Sequence, residues 1–369
     1  MADPNTLREQ LNLFIENPDA MQADEAQKQE LLRLTRQAAA ALESPFEMLQ
    51  RIVYSDVTGL SKATLVTASG LQPSVLESIM DYVCVQGMVA EVSRGQYVAT
   101  RLTRTLLEPV FVDSVTHFHD NCLPGFTALH RALTEGDGRS NAFKLGQNTS
   151  EDFYAWMGTH PVQQRAFHNF MREQFAGLPS WLEVVSFAEE FAQDSESGEV
   201  VFVDVGGGNG SQCAALKKSL PDLKGRFVLQ DRAYVLEKAP EVEGMEKMPY
   251  DFFTEQPVIG ARAYYFRQIL HNFEDAACVR ILESQIPALG PDSVVVIDEK
   301  ALPDDKPPAT TPGVEYTAAL SISMKVMFDA QERRETHWRW LLDQAGLQIK
   351  DIRKFTRFDD AVIIAAKKA

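Results

Sequence analysis

The spacing of hydrophobic positions changes near residue 190, and this change divides the chain into two regions. In the first region apolar residues recur every three or four positions, as in LLRLTRQAAAALESPFEMLQRIV, which is typical of amphipathic helices. After the acidic segment QDSESGE, residues 193–199, apolar runs such as VVFVDV and DSVVVIDEK alternate with helical stretches. This alternation predicts a doubly wound, Rossmann-like α/β domain with a mostly parallel sheet over residues 191–369, behind a mostly helical domain over residues 1–190.

A smaller element is predicted inside the helical region, within about residues 55–106. A short helix, a turn at Gly70, a second helix from Ser74 and a two-stranded hairpin around Arg94 would together form a winged helix-turn-helix. This pattern raises a DNA-binding hypothesis. The second helix, PSVLESIMDYVCVQG, contains two acids and no Lys or Arg, which favours a packing or dimerisation module.

Composition narrows the class of protein. Of 369 residues, 45% are hydrophobic and 24% are charged, as in soluble globular proteins. The formal net charge of −16 disfavours a nucleic-acid partner, because a phosphate backbone would be repelled. No apolar run approaches the roughly 20 residues that span a bilayer, so no membrane partner is expected. The start, MADPNTLREQ, lacks the features of a secretory signal, which predicts a cytoplasmic protein.

A cluster of glycines follows the apolar run VVFVDV and indicates that a ligand approaches the backbone there. A dinucleotide fingerprint would require a third glycine at Ser211. The spacing is instead D-x-G-x-G-x-G, formed by Asp204, Gly206, Gly208 and Gly210. A carboxylate before such a turn suits a ligand with an ammonium group better than one with a pyrophosphate. The pattern therefore favours S-adenosylmethionine as the cofactor.

Acids follow two later strands in the same region. Asp231 ends the run RFVLQD, where an acid usually binds a ribose diol. Within MPYDFF, Asp251 is expected to accept a hydrogen bond from the adenine amine, and Phe252 to stack on the adenine ring.

The candidate catalytic group is His271 in the stretch YYFRQILHNFED. It follows an apolar strand, in a loop that would face the cofactor. Glu299 follows the strand VVVID, and Glu332 lies in AQERRETHW near the start of an amphipathic helix. Two carboxylates beside an imidazole can fix its tautomer and strengthen it as a base. The absence of a close-spaced ligand pair such as H-x-x-x-H predicts that no metal is bound.

Aromatic and methionine side chains on the helical segments supply candidates for an acceptor pocket, because such residues suit a flat aromatic molecule. Taken one at a time, however, such side chains belong more often to the hydrophobic core than to a pocket. The candidates are Phe153, Trp156, Phe167, Phe170, Met171, Met324, Met327 and Phe328.

These motifs together resemble the plant- and fungal-type, caffeate-like (class II) family of S-adenosylmethionine-dependent O-methyltransferases. The resemblance is carried by DVGGGNG, ILHNFED, VIDEKALP and QERRE, and extends from about residue 55 to the C-terminus. The N-terminal winged helix resembles the dimerisation domain of that family, which implies a homodimer. The departures from the family pattern, such as Asn272 after the histidine and QDRAYV after the second strand, bear on the identity of the acceptor.

The resemblance also implies roles for individual residues. Gly206 and Gly208 would approach the methionine part of the cofactor, and Arg267 occupies the position of a cation on the cofactor side. His271 would be the general base, with Glu299 and Glu332 orienting it. The product of the cofactor would be S-adenosylhomocysteine.

The acidity of the acceptor hydroxyl limits the substrate class. A phenol with a pKa of about 10 and an imidazole of about 6.5 differ by about 3.5 units, or about 5 kcal/mol. An aliphatic alcohol would leave a much wider gap. We therefore expect a phenolic or enolic hydroxyl on a small aromatic or polyketide-like metabolite of secondary metabolism. The alternative is an isomerase or pericyclase of the same fold that binds the cofactor without transferring its methyl group.

Overall fold

The computed structural model describes residues 34–35, 66–67, 70–135, 141–174 and 178–368. The chain divides into two compact units, Met1–Phe111 and Val112–Ala369. The helices predicted before residue 55 and the first helix of the helix-turn-helix lie almost wholly outside the described residues. No helix in the described ranges is long and apolar enough to cross a bilayer.

The described part of the first unit contains the predicted second helix and hairpin. Its elements are α1 (Pro73–Val85), β1 (Val89–Ser93), β2 (Gln96–Ala99) and α2 (Arg101–Leu106). Helix α1 buries Leu76, Met80 and Val83, which recur at helical spacing on one face. The two strands pair antiparallel, and Gly95 at the turn between them adopts φ +71°.

The described residues between 109 and 191 are mostly helical. The helices here are α3 (Pro109–Thr116), a π-helix (His117–Cys122), α4 (Leu123–Glu135), α5 (Ala142–Gln147), α6 (Phe153–Gly158), α7 (Pro161–Glu173), a 3-10 turn (Trp181–Glu183) and α8 (Phe187–Phe191). Two of them begin at an N-cap side chain: Asn141 Oδ1 accepts from Lys144 N at 2.9 Å, and Asp152 Oδ1 accepts from Ala155 N at 2.9 Å. Residues 112–190 belong to the same compact unit as the sheet, although the sequence groups them with the N-terminal region.

The sheet and the helices that connect its strands form the rest of the chain. The strands are β3 (Val200–Val205), β4 (Arg226–Asp231), β5 (Met245–Pro249), β6 (Ala263–Arg267), β7 (Val294–Leu302), β8 (Arg333–Arg334), β9 (Leu347–Lys354) and β10 (Asp360–Lys367). The helices are α9 (Ser211–Ser219), α10 (Ala233–Leu236), α11 (Asp275–Glu283), α12 (Val314–Phe328) and α13 (Glu335–Gln344). Two 3-10 turns, Leu270–Asn272 and Ile286–Ala288, complete the elements.

The strand order is β5-β4-β3-β6-β7-β10-β9, with the short β8 paired to the end of β7. Strands β3 to β7 pair in parallel, whereas β10 pairs antiparallel with both β7 and β9. The order reverses between β3 and β6, and in doubly wound sheets the ligand binds beside the carboxyl ends of the strands at that point. The predicted doubly wound α/β fold is confirmed.

Successive side chains along a strand point to opposite faces of the sheet, and on both faces they form part of the hydrophobic core. On β6, Tyr264 and Phe266 join one buried cluster with Trp338 of α13, whereas Tyr265 joins a second cluster with Trp181. This period of two is that of a strand covered on both sides. The packed sheet is therefore a rigid support for the loops at its carboxyl edge.

Candidate active site

The glycine turn connects β3 to α9 at the switch point of the sheet. Gly206, Gly208 and Gly210 adopt φ values of +70°, +59° and +75°, which are strained for residues with a side chain. The amide of Gly206 donates to the carbonyl of Gln230 on β4 at 2.8 Å, which ties the turn to the neighbouring strand. A Cβ added at Gly208 would meet no atom within 4 Å. The backbone at Gly208 is therefore open to a ligand.

Asp231 at the end of β4 lies beside this turn. Its Oδ2 accepts from Gly208 N at 2.9 Å, and its Oδ1 accepts from Arg232 N at 2.7 Å. Burial raises the pKa of this carboxyl, and the two backbone hydrogen bonds oppose that rise. A carboxylate has about four lone-pair sites, so two amides leave capacity for a diol.

A cavity of about 390 Å³ lies next to Asp231, at the carboxyl ends of β4 and β5. Its lining residues are Arg232, Ala233, Tyr234, Pro249, Tyr250 and Asp251. Asp251 is exposed, and its Oδ1 accepts from Phe253 N at 3.1 Å. Phe252 is half-buried, and one of its ring atoms lies 3.7 Å from the position that a Cβ on Gly206 would take. Asp251 lines this cavity, Asp231 and Phe252 are next to lining residues in the chain, and the volume of the cavity is large enough for a nucleoside.

Asp204 occupies a different place from the other predicted cofactor residues. It is buried beneath the glycine turn, and a Cβ added at Gly207 would lie 2.5 Å from its Oδ2. Burial raises the pKa of Asp204 to about 7, although the Cys213 thiol and the charge of Arg267 favour the ionised form. Its carboxyl therefore supports the turn from below, and its predicted contact with the cofactor stays a prediction.

Arg267 at the end of β6 lies among buried acids. Its Nε is 3.5 Å from Asp298 Oδ2, the oxygen that also accepts from the Tyr265 hydroxyl at 2.5 Å. Burial acts to lower the pKa of the guanidinium, but Asp298 and other anionic neighbours raise it overall. Arg267 is therefore a fixed positive charge beneath the switch point.

His271 lies on the 3-10 turn Leu270–Asn272 that follows β6. The ring is buried, and its Nδ1 is 2.8 Å from Glu332 Oε1. Burial acts to lower the pKa of His271, but the charge and hydrogen bond of Glu332, together with the charge of Glu299, raise it above its usual value. The imidazole is thus held in one orientation and made more basic.

Glu299 acts on the turn that carries His271 by a route that the sequence did not predict. Its Oε1 accepts from the backbone amides of Ile269 at 2.9 Å and Leu270 at 2.6 Å. Burial raises the pKa of Glu299 to about 7, against the influence of the His271 charge. Its hydrogen bonds fix the backbone of the turn, and its charge acts on the ring.

Arg333 was not predicted from the sequence to belong to the site, although it is next to Glu332 in the motif QERRE. Its guanidinium is buried and donates to the carbonyls of Leu270 at 3.0 Å and Phe273 at 2.8 Å. The signal available was a charged residue beside a predicted catalytic acid. Glu332 lies near the start of an amphipathic helix, as predicted: α13 begins at Glu335, after the short strand β8.

Most of the predicted pocket residues lie in one apolar cluster. Phe153 packs edge-on against Phe167 and Phe328, with ring centroids 5.2 and 5.4 Å away. The cluster also contains Trp156 and Met327. These side chains pack against one another, and the core interpretation accounts for the contacts seen among them.

The remaining three candidates are not members of that cluster. Phe170 is buried and stacks on the ring of His117, with centroids 5.4 Å apart. Met171 accepts from Gln174 Nε2 at 3.0 Å through its sulfur. Met324 is buried on α12, the helix that also contacts the turn of His271. Among the described residues, no group of three or more His, Cys, Asp or Glu side chains is arranged to hold a metal ion.

Solved structures with the same architecture define the class of this protein. OxaC in complex with S-adenosylhomocysteine and oxaline has a TM-score of 0.74 and 20% identity, covering 92% of this chain and 87% of that one. A structure described as a pericyclic reaction enzyme has a TM-score of 0.74 and 25% identity, covering 99% of this chain and 100% of that one. The fold is that of the S-adenosylmethionine-dependent methyltransferases.

The chain belongs to the O-methyltransferase family, because the model of the O-methyltransferase domain matches residues 146–348. O-methyltransferase okaF of Penicillium ochrochloron is 34% identical over 319 residues, covering 82% of this chain and 80% of the relative. Demethylsterigmatocystin 6-O-methyltransferase of Aspergillus flavus is 28% identical over 318 residues, covering 84% and 80%. The protein is therefore an enzyme that uses S-adenosylmethionine as its cofactor, and the resemblance seen in the sequence is confirmed.

Proposed function

We propose that this enzyme methylates a phenolic or enolic hydroxyl with His271 as the general base. The observation that carries the proposal is the 2.8 Å contact between His271 Nδ1 and Glu332 Oε1, with both groups buried. With Nδ1 engaged by the carboxylate, Nε2 is the ring atom that remains to take a proton. Two acids act on this ring or its turn, which is the support that a general base requires.

The energetics favour an acidic hydroxyl. A gap of about 3.5 pKa units between a phenol and an ordinary imidazole corresponds to about 5 kcal/mol. Glu332 and Glu299 raise the pKa of His271 and so narrow this gap. Positioning contributes more, since good orientation of the reacting groups is worth about 7–11 kcal/mol.

The crevice at the switch point supplies the cofactor site. Bound S-adenosylmethionine provides a methyl group activated by its sulfonium charge. The open backbone at Gly208 and the paired carboxylate of Asp231 would receive the methionine part and the ribose, respectively. Asp251, in the lining of the adjoining cavity, and Phe252, whose ring lies beside Gly206, would hold the adenine. Arg267 would contribute its charge from below the switch point.

The acceptor is proposed to be a small aromatic or polyketide-like metabolite. The relative from Aspergillus flavus is named for a 6-O-methylation of demethylsterigmatocystin. Two aromatic side chains at the margins of the aromatic cluster are only half-buried: Phe167 on α7, before the sheet, and Phe328 at the end of α12. A flat acceptor with few polar groups suits such a surface.

Incubation with S-adenosylmethionine and a panel of phenolic polyketides tests the proposal. Mass spectrometry should detect a product heavier by one methylene, together with one equivalent of S-adenosylhomocysteine. His271→Ala should lower turnover by about 10²- to 10⁴-fold while cofactor affinity stays unchanged. His130→Ala, on the exposed surface of α4, is the matched control and should retain full turnover. Normal turnover in His271→Ala would refute the assignment of the base.

The same assay separates methyl transfer from the alternative chemistry. The structure described as a pericyclic reaction enzyme shares this fold at 25% identity, which keeps an isomerase or pericyclase as the second candidate. Such an enzyme would change the substrate without producing S-adenosylhomocysteine. The presence of His271, Glu299 and Glu332 together favours methyl transfer.

Assembly and location stay predictions. The proposed homodimer would form through the N-terminal domain of residues 1–190, with its winged helix, while residues 191–369 carry the cofactor. Size-exclusion chromatography with light scattering measures the oligomeric state. The cytoplasmic location rests on the sequence alone.

A further inference from the structure

Arg333 makes contacts that the catalytic role of its neighbour Glu332 does not explain. Its side chain is fully buried, and its three nitrogens are all used. Nη1 donates to Leu270 O at 3.0 Å, Nη2 donates to Phe273 O at 2.8 Å, and Nε donates to Asp275 Oδ1 at 3.0 Å. All three acceptors lie on the turn that carries His271 or directly after it.

Glu299 holds the same turn through its amides. Ile269 N and Leu270 N donate to one oxygen of Glu299. The two backbone polar groups of Leu270 are therefore both bound by buried charged side chains, one from β7 and one from β8. These strands pair in parallel through Ala301 and Arg333, which fixes the two charged groups relative to each other.

The position of the turn matters separately from the orientation of the ring. Glu332 fixes the ring through one hydrogen bond, but it can do so only if the backbone of residue 271 stays where it is. A displacement of about 1 Å in a catalytic group can cost about 10²-fold in rate. Burying an arginine costs free energy unless its nitrogens find hydrogen-bond acceptors, and each of the three nitrogens of Arg333 has one.

We propose that Arg333 is a positioning residue for methyl transfer, which holds the backbone of the turn at residues 270–273 so that His271 meets Glu332. The proposal rests on the assignment of His271 as the base. Glu299 acts from the amide side and Arg333 from the carbonyl side. The catalytic turn is thereby bound to two paired strands of the sheet.

The variant Arg333→Lys tests the proposal. Lysine keeps the positive charge, but its single ammonium group cannot reproduce the fork that reaches both carbonyls and Asp275. We expect kcat to fall by about 10- to 100-fold, with the KM for S-adenosylmethionine unchanged. We also expect the pKa of His271, followed by NMR of its ring with S-adenosylhomocysteine bound, to fall. The reason is that the contact with Glu332 loosens.

Arg333→Met adds a test in which the direction of the change in the His271 pKa distinguishes loss of charge from loss of positioning. Removal of a nearby cation would by itself raise the pKa of His271, whereas loss of positioning lowers it. The other charged groups that act on the ring, Glu332, Glu299 and Lys300, are unchanged in both variants. The proposal would be overturned if, in Arg333→Lys, the pKa of His271 is raised or unaltered and kcat equals that of the wild type.

Two further variants keep the experiment decisive. Arg353→Lys replaces an arginine of β9 that makes a bidentate pair with Glu190 of α8. Strands β7 and β10 separate β9 from β6 and the turn that follows it, so this variant should leave kcat and the His271 pKa unchanged. If Arg333→Lys fails to fold, Asp275→Asn retains Arg333 but weakens its anchor, and should shift both readouts in the same direction by less. Unchanged readouts in Asp275→Asn would then count against the proposal.

Failure of the proposed function gives a different result. If the wild-type enzyme methylates no acceptor of the panel, the role of His271 as a base fails. The titration of His271 with S-adenosylhomocysteine bound needs no acceptor, so it still reports whether Arg333 positions the turn.

Discussion

Glu332 Oε1 and His271 Nδ1 are 2.8 Å apart and come from opposite ends of a 61-residue segment of the chain. Strand β8 and the turn after β6 bring them together at the carboxyl edge of the sheet. The contact joins a buried acid to a buried base, and the acid raises the pKa of the base.

Glu332→Gln should shift the pH dependence of turnover. The charge of Glu332 helps to raise the pKa of His271 against the effect of burial, so its removal lowers that pKa. The imidazole of His271 then stays neutral down to a lower pH, and the acidic limb of the profile of kcat against pH moves to lower pH. Because the base is also weaker and less well oriented, we expect maximal kcat to fall by about 10²-fold. An unshifted acidic limb, measured between pH 5 and pH 9, would contradict this prediction.

Asp204→Asn should stabilise the fold more at pH 8 than at pH 5. Burial raises the pKa of Asp204 to about 7 from 3.8, so the folded state binds the proton more tightly than the unfolded state does. Stability contributed by this group is present at low pH and falls as the pH rises from about 4 to 7. Asparagine does not ionise, and its advantage should grow by about 2 kcal/mol between the two pH values. Urea unfolding at both pH values measures it, and an equal effect at both would disprove the prediction.

Gly207→Ala and Gly208→Ala should separate packing from cofactor binding. A Cβ at Gly207 would lie 2.4 Å from Asp204 Cγ and 2.5 Å from Leu229 Cδ1, which are buried atoms on strands. We expect a loss of about 3 kcal/mol in the free energy of unfolding. At Gly208 the space is open and the cost of φ +59° is about 1 kcal/mol, but the methyl group would enter the cofactor crevice. Thermal unfolding and calorimetric titration with S-adenosylmethionine should therefore rank the two variants in opposite orders.

Phe153→Ala should act mainly on stability. Phe153 is 2% exposed and packs edge-on against five other rings, so its truncation leaves a cavity and should cost about 3–5 kcal/mol. Tyr154 on the same helix is 44% exposed, and Tyr154→Ala should cost much less. If Phe153→Ala keeps the wild-type melting temperature and changes only the KM for the acceptor, Phe153 lines a pocket and not the core.

The parallel strands could be predicted because they are buried on both faces and read as apolar runs, as VVFVDV does. Strand β5, MEKMP, could not, since Glu246 and Lys247 break its apolar pattern at the edge of the sheet. An edge strand needs burial on fewer sides, and so its sequence is less constrained. The helix-turn-helix prediction gave the position of α1 and the hairpin correctly.

The candidate site shows a similar division. The sequence predicted which charged residues lie together near strand ends, because the carboxyl ends of parallel strands meet at one edge of the sheet. The sequence did not predict the partners of these charged groups. Glu299 binds backbone amides and Arg333 binds backbone carbonyls, and every residue other than proline offers both groups, so the sequence does not mark such contacts. Pairing depends on the register of β7 with β8, which is a property of the folded sheet.

Strand β10 lies between β7 and β9, although both precede it in the chain. During synthesis, the edges of β7 and β9 that pair with β10 therefore have no partner until residues 360–367 have left the ribosome. The strand β7 that carries Glu299 gains its second long partner only then. Glu299 of the base machinery thus lies on a strand whose long antiparallel partner is β10, and removal of residues 360–367 would disturb that strand at a distance from the crevice.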